Sequence, residues 1–216
     1  MDVHASEKEQ VEAFKKWWKD NGSSIITGLL LGVALLLGGK AWFGYRETQT
    51  LNASGMYAQM MMAQRSDSIE AARNQANQLI TTYPGSGYAP LAALVLARQA
   101  VKDGELEAAR TQLQWAIDHT KSPELQHVAR LRLIQVLIAA TQYDAAAAQL
   151  AAVVQPGAWA YKYSQLEGDL AVAMGQTEQA ALAYQKSLDN MPEQAPDRRL
   201  LTVKYESVAG VNETEK

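Results

Sequence analysis

Between Asp20 and Lys40 the chain runs for 19 residues without a charge, NGSSIITGLLLGVALLLGG. A helix of that length measures roughly 28 Å, close to the hydrocarbon thickness of a bilayer. Phe14, Trp17 and Trp18 precede the run, and Trp42, Phe43 and Tyr45 follow it. Amphipathic rings at both ends are the interfacial belt expected of a spanning helix. The run divides the sequence into a cytoplasmic tail (1–22), a transmembrane helix with interfacial aromatics (23–45), a folded region (46–210) and a disordered tail (211–216).

Orientation follows from the basic residues near the span. Lys8, Lys15, Lys16 and Lys19 precede it, and only Lys40 and Arg46 follow closely. Carboxylates count little in this rule, so the N-terminus is expected in the cytoplasm and 46–210 outside it, in the periplasm of a Gram-negative host. A cleaved signal peptide fits less well. The segment before the run is long and carries five acidic residues, and the apolar stretch exceeds a usual signal core. Gly28 and Gly32 form a G-x-x-x-G step with Gly39 on nearly the same face. Such a stripe lets a second helix approach closely.

The folded region repeats itself. Ala72, Ala109, Ala146 and Ala180 align at spacings of 37, 37 and 34, and Ala76, Leu113, Leu150 and Tyr184 each follow four residues later. Each stretch ends at a proline (Pro84, Pro123, Pro156, Pro192), which cannot continue a helix. Apolar residues at helical spacing predict a partner helix before each of the last three, over 88–102, 124–140 and 159–174. Residues 51–64 open the first pair. Asp103-Gly104, Thr141-Gln142 and Gly175-Gln176 supply the breaks between paired helices. The 36 alanines suit close helix packing and disfavour strands. An all-α chain follows, a membrane helix leading into a stack of helix pairs. Residues 197–208 form one further helix that covers the stack's last apolar face.

Chemistry is absent from this pattern. With no cysteine, a disulfide framework, a thiol nucleophile and Cys-ligated metal sites are excluded. His4, His119 and His127 have no carboxylate pair at metal-ligand spacing and read as solvated. No catalytic elbow, phosphate loop or H-E-x-x-H motif occurs, so no catalytic, cofactor-binding or metal site is expected. A net charge of -3 disfavours nucleic acid. Of Met56, Met60, Met61 and Met62, the first two share a helical face, so at least one of the others is exposed or meets a partner. Trp115, Trp159 and Tyr161 read as packing between repeats. In a stack of helix pairs the first helices line the binding side. The polar residues expected to face that groove are Arg98, Lys102, Gln135, Lys162, Gln165 and Asp169.

The pattern resembles the tetratricopeptide repeat. That family places a small residue midway in its first helix, alanine, an aromatic and alanine or serine in its second, then proline. Leu166, Gly168, Gly175, Ala180, Tyr184, Ser187 and Pro192 match it well; Gly104, Ala109, Leu113, Ala116 and Pro123 match in part. The first and third repeats are degenerate. The resemblance implies that Gly168 lets paired helices approach and that Tyr184 fills the space between repeats. The whole layout, with the tail EKEQVEAFKKWWKDNG, the single span and LEGDLAVAMGQTEQAALAYQKSL, is similar to the YfgM family of ancillary subunits of the bacterial SecYEG translocon. That resemblance implies a non-enzymatic inner-membrane protein without cofactors. Its partners would be SecYEG, the periplasmic chaperone PpiD and unfolded translocated polypeptides. The rival reading is a tetratricopeptide-like scaffold for another cell-envelope assembly.

Overall fold

The computed structural model describes residues 3–214, with side chains for 9–210. The side chains of His4 and Lys8 and the last two positions of the expected tail lie outside the described residues. Among the described residues the chain is helix and turn throughout, with no strand. It forms two compact units, 1–52 and 53–216.

The first unit is the N-terminal part of α1 (Val3–Arg65). The helix is long and apolar enough to cross a membrane. Its leucines from Leu29 to Leu37 and its flanking aromatics are exposed, as lipid-facing groups must be. Phe14 stacks on Trp17 and on Trp18, whose own rings are tilted to each other, and the Arg46 guanidinium lies 5.3 Å from the Trp42 ring centroid. One difference from expectation concerns residues 51–64. They form no separate opening helix but continue α1, because no glycine pair or proline interrupts 46–65.

The second unit is the stack. After the end of α1 come α2 (Ile69–Thr82), α3 (Tyr88–Lys102), α4 (Leu106–His119), α5 (Pro123–Ala139), α6 (Tyr143–Ala151), α7 (Ala160–Ala173), α8 (Thr177–Asn190) and α9 (Arg198–Thr214). A 3-10 turn over Gly157–Trp159 leads into α7, so Trp159 precedes the helix it was expected to start. Helical backbone in α9 reaches Thr214, across the first positions of 211–216.

Packing follows the aligned small residues. Ala109, Ala146 and Ala180 are fully buried and Ala72 nearly so, each where one helix of a pair meets the other. Ala76, Leu113 and Tyr184, one turn on, fill the space beyond them. Leu79, Leu113, Leu133, Ile134 and Leu201 are almost wholly enclosed. Each contributes about 1.5–3 kcal/mol by leaving water. Met60 is fully buried while Met62 is 68% exposed, the division that helical spacing required.

The turn inside each pair is the same device used four times. Asp67, Gly104, Thr141 and Gly175 adopt φ of 55°, 78°, 57° and 72°. The amide after each donates back to a carbonyl five residues earlier: Ser68 to Ala63, Glu105 to Ala100, Gln142 to Leu137 and Gln176 to Ala171. This left-handed helix stop suits glycine, which two repeats supply and two do not. Between pairs, Ser122 caps α5 by accepting from the Leu125 amide, and Pro123 follows in the first turn.

Candidate functional site

A groove of about 460 Å³ opens between α3 and α5 above α4. Its floor is apolar, from Leu94, Ala97, Leu113 and Val136, which are buried because they also belong to the core of the stack. Its rim carries Arg98, Arg132 and Gln135, all exposed. No carboxylate lines it. Among the described residues neither arginine has a hydrogen bond or ion pair. Lys102 lies one turn beyond Arg98, and both border a smaller cleft beside α2. Of the six residues expected in a groove, Arg98 and Gln135 thus share this one and Lys102 lies beside it, all three open to solvent. Arg132 was not among the six. Its signal was present in the sequence, since Arg132, Gln135 and Ala139 share one helical face.

The other three have a different setting. Lys162, Gln165 and Asp169 are half-buried on α7. Lys162 pairs with Asp197 at the start of α9, and Lys204 of α9 reaches Asp169 at 2.6 Å. Tyr184 donates to the same Asp169 oxygen at 2.7 Å, and the Lys204 ammonium lies 5.9 Å from the Tyr184 ring centroid. Arg198 donates to the carbonyls of Leu188 and Met191, closing the end of α8. The charges expected to meet a ligand therefore hold the chain's own last helix. The Gln165 Oε1 is buried without a partner among the described residues.

Electrostatics reflect these pairings. Burial and the Asp169 carboxylate hold the Tyr184 phenol protonated far above its ordinary range. Burial pushes the Asp197 carboxyl up, but Lys162 and the local backbone amide outweigh it and leave it below the usual carboxylate value. Glu107 is lowered by its bonds from Arg110, on the same helix, and from Gln142, which ties α4 to the turn before α6.

The histidines divide. His119 is exposed and stacks on Trp115 with ring centroids 4.0 Å apart. His127, expected to be solvated, is instead half-buried against the Trp159 and Tyr163 rings, with its Nδ1 2.7 Å from the Tyr163 hydroxyl. The correction has a simple cause. The 3-10 turn before α7 brings Trp159 over α5, and nothing local in the sequence reveals that. Burial raises the Tyr163 phenol, which suits a neutral hydroxyl in this cluster. No group of His, Asp and Glu able to hold a metal occurs among the described residues.

In the membrane segment a Cβ added at Gly28, Gly32 or Gly39 would meet nothing within 4 Å, so the stripe is open to a neighbour. Gly168 is the opposite case. A Cβ there would lie 2.3 Å and 2.4 Å from two Tyr184 ring carbons, so only glycine admits the ring between α7 and α8.

The sequence matches the tetratricopeptide repeat-like domain family over residues 15–210. Among curated proteins it is 33% identical over 188 residues to the ancillary SecYEG translocon subunit of Escherichia coli K12, covering 86% of this chain and 88% of that protein. It is 26% identical over 209 residues to the ancillary SecYEG translocon subunit of Neisseria gonorrhoeae, covering 96% of this chain and all of that protein. The protein of the same description from Aggregatibacter actinomycetemcomitans is 29% identical over 190 residues, covering 88% of this chain and 92% of its own length.

Proposed function

The chain belongs to the family of ancillary SecYEG translocon subunits with a tetratricopeptide repeat-like domain, and from that premise we propose that it is a non-enzymatic, single-span inner-membrane protein associated with the SecYEG translocon. Its tail (1–22) faces the cytoplasm, 23–45 crosses the membrane, and the repeat domain (46–210) stands in the periplasm. There it binds emerging polypeptides and passes them to chaperones such as PpiD.

One observation carries the binding role: an apolar groove between α3 and α5 rimmed by two arginines that have no partner among the described residues. Apolar floors bind unfolded segments through the side chains that folding would bury, and the cationic rim favours segments flanked by carboxylates. Arg98, Lys102, Gln135 and Arg132 are the contact residues in this reading. Tethering near an exit site raises the local concentration of a weak binder, which suits transient clients. The open stripe Gly28, Gly32 and Gly39 supplies a face for a membrane partner.

The test is affinity purification of the full chain from membranes in mild detergent, with copurifying proteins identified by mass spectrometry. SecY and PpiD at near-stoichiometric levels, with crosslinked client lost on Arg98→Glu/Arg132→Glu, are the expected result. Recovery of a different envelope complex would transfer the scaffold to that assembly.

A further inference from the structure

The outer seams between successive repeats can be compared position by position, because the repeats align at 37, 37 and 34 residues. The first seam, where α2 and α4 flank α3, is covered by Arg73, Asn77 and Gln112. At the equivalent positions the second seam has Arg110, Gln114 and Gln149. Both arginines and the two glutamines of the second seam are engaged, Gln114 with Asp118. Arg73 pairs with Asp103 at 2.6 Å, Arg110 with Glu107 at 2.8 Å, and Gln149 accepts from Arg130. At the third seam, where α6 and α8 flank α7, the three positions are Ala147, Ala151 and Ala183.

The consequence is a change of surface. The first seam leaves a cleft of about 130 Å³, whereas the third opens a groove of about 640 Å³ over Leu150, Leu170 and Ala171. Helix α6 has 9 residues where α2, α4 and α8 have 14, which lengthens the opening. Leu182 stands 73% exposed beside it, where the preceding repeats place Thr111 and Ala148. The charged groups on its rim, Glu167 and Lys186, are 3.2 Å apart and cancel.

We infer that this third seam is a second docking site, which receives an uncharged apolar stripe on a helix of a partner protein. The charge balance selects the occupant. The seam presents no net charge to a ligand, in contrast to the cationic α3–α5 groove. Alanines along its walls let a helix backbone come close, the arrangement by which an amphipathic helix lies in a groove through residues at i, i+4 and i+7. The two surfaces lie on different helices, so a partner held at the third seam leaves the α3–α5 groove open.

The test uses the full chain in nanodiscs and an acetylated, amidated Ala/Gln helical peptide with a leucine stripe at i, i+4 and i+7. Fluorescence anisotropy reads binding. Ala147→Arg/Ala151→Asn restores the first seam's chemistry and is expected to weaken binding about tenfold or more. Lys121→Glu, exposed and outside both grooves, is expected to leave it unchanged. Ala183→Gln, the residue both other seams carry, is the second variant, and an unaltered unfolding midpoint shows that either variant is folded. Binding by both seam variants equal to that of the natural chain overturns the assignment. So does a peptide with glutamates beside the stripe binding more tightly than the uncharged one. Self-association that these substitutions abolish would also overturn it, since the occupant would then be a second copy of the chain.

Discussion

Substituting Gly168 by alanine tests whether the tight α7–α8 contact holds the end of the stack. The new methyl would sit 2.3 Å and 2.4 Å from two carbons of the Tyr184 ring. The ring cannot swing aside, since Tyr184 is only 2% exposed and its hydroxyl is bonded to Asp169. Overpacking of this kind costs about 1–3 kcal/mol, and an overlap of more than 1 Å belongs at the upper end. Alanine regains about 1 kcal/mol of helix propensity over glycine. The net loss is therefore about 2 kcal/mol, or roughly 4–8 °C in unfolding midpoint for a domain of this size. Thermal unfolding of the full chain in mild detergent, followed by circular dichroism, reads it. Gly55→Ala is the control, because its Cβ meets nothing within 4 Å and should stabilise by about 0.5–1 kcal/mol. Adding Tyr184→Leu to Gly168→Ala should recover part of the loss, a coupling that isolates the clash. If Gly168→Ala matched Gly55→Ala, the argument from close approach would be wrong.

Three further outcomes follow from the same geometry. Thr141, a β-branched residue at φ 57°, sits where two repeats use glycine, so Thr141→Gly should stabilise by about 0.5–1 kcal/mol after the added unfolded-state entropy; a lower unfolding midpoint would refute the strain. Asp197 is held below its ordinary value, so its ion pair with Lys162 stabilises the fold above the unfolded carboxylate range and is lost as the pH falls through the lowered value. The stability gap between the natural chain and Asp197→Asn, about 0.5–1 kcal/mol at neutral pH for a pair this exposed, should close below about pH 4 in acid titrations; a constant gap would exclude the pair as its source. Gly28→Leu and Gly32→Leu should weaken copurification of membrane partners while membrane insertion is retained, and unchanged recovery with both would remove the packing face.

Much of this architecture is legible in the sequence because each repeat must solve the same packing problem. The aligned alanines mark where helices of a pair touch, and all four are buried as that spacing requires. The helix over 88–102 has the boundaries its pattern predicts, and the contact of Gly168 with Tyr184 follows from the small and aromatic pair. Long-range placement is what the pattern does not carry. The burial of His127 depends on a turn 30 residues away. Lys162 and Asp169 have the spacing of groove residues, yet α9 arrives with Asp197 and Lys204 in register to pair with them. That register was available, since both pairs are separated by 35 residues, close to the repeat length. Read as one more first helix of the series, α9 would have announced its partners.

That register also separates the groove candidates that stay open from those that do not. By the 37- and 34-residue spacings, Asp169 of α7 falls at the position of Arg98 in α3 and Gln135 in α5. The position is acidic in the helix next to α9, and the closing helix takes it. Lys204 and Tyr184 both bond to Asp169, whereas Arg98 and Arg132 at the α3–α5 rim have no partner among the described residues. A stack ending in a neutral helix would leave the half-buried Asp169 carboxylate with only the Tyr184 hydroxyl. Lys204→Met tests this step. It should lower the unfolding midpoint, because a half-buried carboxylate loses its cation, and leave binding of carboxylate-flanked apolar peptides at the α3–α5 groove unchanged, since neither Lys204 nor Asp169 lines that groove. An unchanged midpoint would mean that the Asp169 pair does not hold the closing helix, and a changed peptide affinity would mean that the cap also acts on the groove.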